Sequence, residues 1–284
     1  MNRIIAFGVI GHPIEHSLSP VMHNSVFKHL GLGYEYLKFD VHPKDLGKFI
    51  ENCKENNFIG LNVTIPHKIS VIRFLDKISE EARLINAVNT IKFEDKTAIG
   101  FNTDGLGCVR ALLEWIEGIK GKRILVLGAG GASRAISFQL AIEGADLLIS
   151  NRTYDRALTL GNEIREKVGK RVEIVKFSHD EMKNFINDID VLINATSVGM
   201  FPKVDEIPIP EDLLKFLNED VVVMDIVYNP IETKLLREAK ALGFKTVDGV
   251  GMLVYQGAES LRIWLDIEAP IDLMRRVVVR ELGG

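Results

Sequence analysis

The feature that most restricts the fold of this chain is a compact apolar run, Arg123-Ile-Leu-Val-Leu127, that breaks at Gly128-Ala-Gly-Gly-Ala132 and continues as a helical pattern through Ala141. Such a run, bounded by glycine, reads as a buried strand. The glycines allow a sharp turn and a close backbone approach to a bound group. The helix start adds unpaired N–H groups and a partial positive charge. Strand, glycine loop and helix in this order are the phosphate cradle of dinucleotide-binding folds. The third position of that fingerprint is Ser133 rather than Gly or Ala. A glycine-rich turn in some other α/β domain is the alternative.

The next strand, Leu147–Ser150, indicates which dinucleotide fits. A site for NAD places Asp or Glu at the end of this strand to bind the ribose hydroxyls. Here the strand runs into Asn151-Arg152-Thr153, with Arg156 four residues beyond Arg152. No carboxylate repels a 2′-phosphate, and two guanidiniums and a hydroxyl near a helix start can clamp one. The expected cofactor is NADP; the alternative is that both arginines are solvated helix-face charges.

Strand and helix patterns alternate along the rest of the chain, which predicts an α/β architecture on mostly parallel sheets. Arg3–Ile10, Tyr34–Val41 and Phe58–Thr64 read as strands. Between the first two, Ser19 reads as an N-cap, Pro20 as the first helical residue and Gly31 as the stop. Lys44–Lys54 reads as a helix, and Pro66 begins another. Ala87–Phe93 and Thr97–Asn102 form a hairpin around Glu94-Asp95-Lys96, and Gly105–Ile116 reads as a helix. Beyond the glycine loop lie strands at Val172–Phe177, Val191–Asn194, Val221–Val227 and Lys245–Val247. Helices follow at Gly251 to Trp264 and Ile271–Arg280. A length of 284 residues suits two domains at ~150 residues each. The expected division is 1–104, completed by C-terminal helices 249–284, against a Rossmann-like 105–248.

Composition excludes several classes. A net charge of −4 argues against a general nucleic-acid binder. No apolar run reaches the ~18 residues of a membrane-spanning helix. The apolar start after Arg3 is short and lacks a small-residue cleavage site, so it reads as a strand rather than a signal peptide. Cys53 and Cys108 form no CxxC pair, which suits a reducing cytoplasm. His12 and His16 are four apart, but Pro13 disfavours a shared helical face, and no metal is expected.

Several segments carry polar residues where a packed core would need apolar ones. They are SLSP at 17–20, NVTIPHK at 62–68, NAVNT at 86–90, GFNTDG at 100–105 and DGVGMLVYQ at 248–256. Together with GAGGASRA at 128–135, NRT at 151–153, NATSVGM at 194–200 and DIVYNP at 225–230, they resemble the shikimate dehydrogenase family over nearly the whole chain. The resemblance implies a substrate-binding domain and an NADP-binding domain with the active site in the cleft between them. It also implies NADPH-dependent interconversion of 3-dehydroshikimate and shikimate in aromatic amino-acid biosynthesis, and a homodimer. Lys68 and Asp104 would be the catalytic pair. Ser17, Ser19, Thr64, Asn89, Tyr228 and Gln256 would join them in contacting shikimate. Gly128, Ala129, Gly130, Gly131, Ala132, Asn151, Arg152, Thr153, Arg156, Ile226 and Gly249 would line the NADP site.

The residue types suit that chemistry. Ketone reduction needs a hydride at carbon and a proton at oxygen. A lysine ammonium can bind the developing alkoxide and protonate it. Each residue also has a plain structural explanation. Ser19 and Asp104 suit helix caps, Lys68 and Gln256 solvated helix faces, Asn89 a turn, and Tyr228 a core rim. Two other functions share most of the motifs: a dehydrogenase that also takes quinate or NAD, and a non-catalytic NADP-binding regulatory module.

Overall fold

Alternating short apolar strands and amphipathic helices give this chain two sheets in two separate units. In the computed structural model, which describes residues 4–283, one unit comprises the chain up to Asp104 together with Val254 onward, and the other Gly105–Leu253. Arg3, the expected start of the first strand, and the termini Met1 and Gly284 lie outside the described residues.

The first unit holds β1 (Ile4–Gly11), β2 (Tyr34–Asp40), β3 (Gly60–Val63), β4 (Lys77–Ile78), β5 (Thr90–Glu94) and β6 (Thr97–Phe101) in the order β2-β1-β3-β5-β6-β4. β1 runs parallel to β2 and β3, but β5 is antiparallel to both β3 and β6. This sheet is therefore mixed, still with more parallel than antiparallel pairs, because β4 also runs parallel to β6. The hairpin decides it. Asp95 and Lys96 take φ +49 and +61, the left-handed pair of a two-residue turn whose twist matches antiparallel strands.

Four helices intervene: α1 (Ser19–His29), α2 (Leu46–Glu55), α3 (His67–Ser70) and α4 (Glu80–Ile85). Ser19 is not the N-cap of α1. Leu18 holds that place with near-helical backbone angles, so the turn begins one residue early; Ser19 is the first helical residue and its N–H donates to Ser17 Oγ at 3.3 Å. Gly31, at φ +68, follows the last turn, as the stop signal suggests. The side chain of Asn24 fastens α1 to β2: its amide donates to the Tyr36 carbonyl and its oxygen accepts from the Tyr36 N–H, both at 2.9 Å.

The sheet buries apolar side chains on both faces. On one, Ile10, Leu61 and Ile91 pack with Leu46, Ile50 and Val71. On the other, Phe7 meets Phe27, Tyr34 and Trp264 at ring centroid distances of 5.1, 5.3 and 5.2 Å. Trp264 belongs to α10 (Gly249–Leu265), which precedes α11 (Ile271–Glu281), and its indole N–H donates to the Ile91 carbonyl at 2.9 Å. His23 stacks on Tyr36 at 4.5 Å, and burial pushes its pKa down to about 3, so the ring is neutral core rather than a charged group.

The second unit begins within α5 (Asp104–Leu113) and alternates strand and helix except between β10 and β11, where only a 3-10 turn (Glu211–Phe216) intervenes: β7 (Arg123–Leu127), α6 (Gly131–Ile142), β8 (Asp146–Asn151), α7 (Tyr154–Val168), β9 (Val172–Lys176), α8 (His179–Lys183), β10 (Val191–Asn194), β11 (Val222–Asp225), α9 (Lys234–Ala241) and β12 (Lys245–Val247). All six strands are parallel, in the order β12-β11-β10-β7-β8-β9. That is the doubly wound dinucleotide-binding arrangement, with its switch point between β7 and β10. Leu125, Leu127, Leu148, Leu192 and Val223 are buried against Leu213, Leu214 and Leu235. Strands covered on both faces read as continuous apolar runs.

Gly60 is where β3 passes beneath Trp264: a Cβ there would lie 2.4 Å from the indole ring. Gly60→Ala is expected to destabilise the protein by ~1–3 kcal/mol, the scale of overpacking, read as a lower urea midpoint. An unchanged midpoint would show that the indole yields freely.

Candidate active site

Lys68 lies on α3 because the turn after β3 closes there: the His67 N–H donates to the Thr64 carbonyl at 2.9 Å, and the Lys68 carbonyl accepts from Val88 N–H at 2.8 Å. His67 is the anchor of this turn, buried, with Nε2 2.7 Å from the Val41 carbonyl. Lys68 Nζ forms an ion pair and hydrogen bond with Asp104 Oδ2. The side chains are only 13% and 6% exposed. Asp104 is the first residue of α5, and its N–H is taken by Asn102 Oδ1 at 3.1 Å.

Asn89 completes the pair. Its amide donates to Asp104 Oδ1 at 2.8 Å and to Thr103 Oγ1 at 2.9 Å, with Gln256 Oε1 3.5 Å away. Its oxygen accepts from the Thr103 N–H at 2.8 Å. Thus Lys68, Asn89, Asp104 and Gln256, distant in sequence, converge within the first unit. Gln256 is buried, not on a solvated helix face.

A second set of buried polar residues lies behind them. Asn62 Nδ2 donates to Ser260 Oγ at 2.9 Å and Thr90 Oγ1 at 3.2 Å. Its oxygen accepts from the Tyr36 hydroxyl at 2.7 Å. Thr90 donates to Asn89 Oδ1 at 3.0 Å. A continuous network therefore runs from Tyr36 through Asn62 and Thr90 to Asn89 and Asp104. Ser17 and Thr64 are partly exposed. Tyr36, Thr90, Thr103 and Ser260 carry no role in the motif reading, although Thr90 and Thr103 sit inside the quoted motifs. Ser260 lies one helical turn beyond Gln256, the only sequence signal that points to it.

In the second unit, Gly128 takes φ +116, and a Cβ there would lie 3.0 Å from the Ala195 carbonyl. Gly130 is the N-cap of α6, and a Cβ on it would meet nothing within 4 Å. This open cradle, with the free first-turn N–H groups of Gly131 to Ser133, fits a pyrophosphate. Ser133 acts within the loop itself. Its hydroxyl, fully buried, donates to the Gly128 carbonyl at 2.6 Å and ties the loop to the helix. Asn151 ends β8 and donates to the Thr153 carbonyl at 2.8 Å. Arg152, Thr153 and Arg156 are exposed around the start of α7, as a 2′-phosphate clamp requires. Ile226 and Tyr228 follow β11, so Tyr228 belongs to the second unit, and Gly249 opens α10. Among the described residues, no cluster of three or more His, Cys, Asp or Glu could hold a metal ion, and no helix is long and apolar enough to cross a membrane.

Comparison with known proteins adds family models along the chain. The model for the shikimate dehydrogenase substrate binding domain matches residues 9–91, that for shikimate / quinate 5-dehydrogenase residues 111–228, and that for the shikimate 5'-dehydrogenase C-terminal domain residues 249–279. A shikimate dehydrogenase (NADP(+)) from Methanocaldococcus jannaschii is 48% identical over 276 residues, covering 97% of this chain and 96% of the relative. The crystal structure of a shikimate dehydrogenase in complex with NADP+ matches with a TM-score of 0.92 at 45% identity, covering 99% of both chains. A Thermus thermophilus shikimate 5-dehydrogenase in complex with NADP(H) and shikimate matches at 0.87 and 36% identity, covering 98% of this chain and 99% of that one.

The bond from Ser133 to the glycine loop makes a direct prediction. Ser133→Ala, which restores a residue common at this position of the fingerprint, is expected to lower stability by ~1–2 kcal/mol by leaving a buried carbonyl unpaired. Urea unfolding checks it; a stability equal to wild type would remove the bond from the account of the loop.

Proposed function

The chain belongs to the shikimate dehydrogenase family, and we propose that it catalyses the reversible NADPH-dependent reduction of 3-dehydroshikimate to shikimate. The observation that carries the reading is the buried Lys68–Asp104 pair held by Asn89. The open glycine cradle and the arginines after β8 support NADP as the dinucleotide.

In this reading Gly128–Ala132 and the start of α6 receive the pyrophosphate, while Asn151, Arg152, Thr153 and Arg156 receive the 2′-phosphorylated ribose. Ile226 and Gly249 belong to the nicotinamide side. The bound dinucleotide supplies hydride to the substrate carbonyl carbon. Lys68 donates a hydrogen bond to the carbonyl oxygen, stabilises the negative charge that develops there and delivers the proton. In the reverse direction, having given up that proton, it takes one from the ring hydroxyl. Asp104 holds the amine in place and accepts from a neighbouring ring hydroxyl. Asn89 keeps the carboxylate from turning, because its amide binds the oxygen that the lysine does not. Thr64 and Gln256 add ring-hydroxyl contacts. The hydroxyls of Ser17, Ser19 and Tyr228 bind the substrate carboxylate with neutral donors, which suits modest affinity and ready release. The same reading places a homodimer in a reducing cytoplasm, where the buried thiols of Cys53 and Cys108 persist.

The direct test is absorbance at the NADPH band on mixing the protein with NADP and shikimate, repeated with quinate and with NAD. Lys68→Ala is expected to lower kcat by ~10²-fold or more, the usual scale for a general acid–base. Near-normal turnover would exclude Lys68 from the proton transfer. Arg152→Ala is expected to weaken NADP binding by ~1–3 kcal/mol, the scale of a charge-assisted hydrogen bond, and leave NAD binding nearly unchanged. An equal loss for both dinucleotides would overturn the 2′-phosphate assignment.

A further inference from the structure

Asp225 is the last residue of β11 and fully buried, yet the chemistry above gives it no role. Its carboxylate gathers three donors. Oδ1 accepts from the Val227 N–H at 3.0 Å and Asn194 Nδ2 at 2.9 Å, and Oδ2 accepts from the Thr233 hydroxyl at 2.7 Å. Each donor fixes a different stretch of chain. Asn194 ends β10, and its oxygen in turn binds the N–H and hydroxyl of Thr196 at 3.0 and 2.7 Å. Val227 lies in the segment that follows β11. Thr233 is the N-cap of α9. The same segment is confined from another side: a Cβ on Gly249 would lie 2.4 Å from the Ile226 carbonyl and 2.5 Å from that of Val227.

We propose that Asp225 is a positioning residue for the cofactor: its carboxylate holds the 226–230 segment in the form that receives the nicotinamide end of NADP. The inference rests on the NADP reading given above. An ionised carboxylate only accepts, so it satisfies three converging donors at once. A neutral group of the same shape accepts at one head only; its other head donates, so the Thr233 hydroxyl loses its acceptor and must reverse its role to stay bonded.

Burial pushes the Asp225 carboxyl up to about 6, against the opposing pull of Val227, Thr233 and Asn194. The partners from β10, the segment after β11 and the start of α9 are all neutral. The nearest acid on the adjoining strand end is Asp248, which follows the Met224–Val247 pair and accepts from the Val250 N–H at 2.9 Å. The nearest titratable group along the segment is Tyr228. Since the three donors favour the ionised form, protonation weakens them in turn by linkage. Above about pH 6 the ionised carboxylate accepts all three donors. Below it, one carboxyl oxygen becomes a donor and the bond from Thr233 is lost; because the raised pKa means that protonation relieves the cost of a buried charge, the loosening is local to the segment and overall stability does not fall.

Asp225→Asn has the shape of the protonated acid at every pH. NADP dissociation constants are measured for both proteins from pH 5.5 to 7.5, with amide protection of residues 226–230 in the absence of ligand. The 2′-phosphate titrates in the same range but identically for both proteins, so the ratio of their constants is the readout. The ratio is expected to be about 10 at the upper pH and to fall to about 3 at the lower, where about a quarter of the carboxyl is still ionised. Protection in Asp225→Asn should match the low-pH wild type throughout. Thr233→Val, which removes the Oδ2 donor together with the α9 cap bond from the Leu236 N–H, should shift the ratio in the same direction and serves if the asparagine variant does not fold. A ratio of 1 at pH 7.5, or one that does not change with pH, overturns the proposal. A wild-type protein that binds no NADP at any pH defeats the proposed function. In that case protection decides: a loss below pH 6 in wild type alone upholds the hold of Asp225 on the segment, and equal protection in both proteins overturns it.

Discussion

Two opposite charges withdrawn from water, at Lys68 and Asp104, set the terms for the first unit. Such a pair is favourable only when its geometry is good and its remaining lone pairs are hydrogen-bonded. The fold meets that demand from several directions: Asn89 binds the second carboxylate oxygen, Thr103 and Thr90 hold Asn89, and Asn62 and Ser260 hold Thr90. The end of β3, the start of β5 and one face of α10 thus serve partly to satisfy a pair of ions. Polar residues that would be costly alone in a core are all paired here, so the network both stabilises and orients.

The second unit meets a different constraint. The proposed pyrophosphate site relies on backbone N–H groups rather than on a buried charge, so the loop must expose them in a fixed direction. Left-handed backbone at Gly128 makes the turn, and the Ser133 hydroxyl locks it to the helix. Parallel strands bring their carboxyl ends to one edge, which is why the glycine loop, Asn151, Asn194 and Asp225 all follow strand ends of a single sheet. At that edge Asp225 links three stretches of chain: the end of β10, the residues after β11 and the start of α9.

Much of this was legible in the residues. The β7–α6 cradle announces itself through an apolar run broken by glycines, and the residues after β8 show their charge directly. Lys68, Asn89, Asp104 and Gln256 stand out because a core would not choose them. Other parts were hidden. β4 has only two residues, too few for a period to show, and α4 only six. Ser19 resembles a cap because serine before proline often is one, but the near-helical backbone of Leu18 moved the helix start by one residue. The hairpin around Glu94-Asp95-Lys96 was legible from its turn residues, but the left-handed conformations of Asp95 and Lys96 came only with the structure.

The sequence by itself determined the order of strands and helices, the glycine cradle and the identity of the polar residues. These depend on local periodicity and on side-chain chemistry, which neighbours in the chain suffice to reveal. Only the tertiary structure decided which polar groups meet. Asn62 and Ser260 lie 198 residues apart, and Asn194 and Asp225 lie 31 apart on neighbouring strands. A hydrogen-bond partner is chosen by position in space, to within a few tenths of an ångström, and no spacing along the chain encodes that choice.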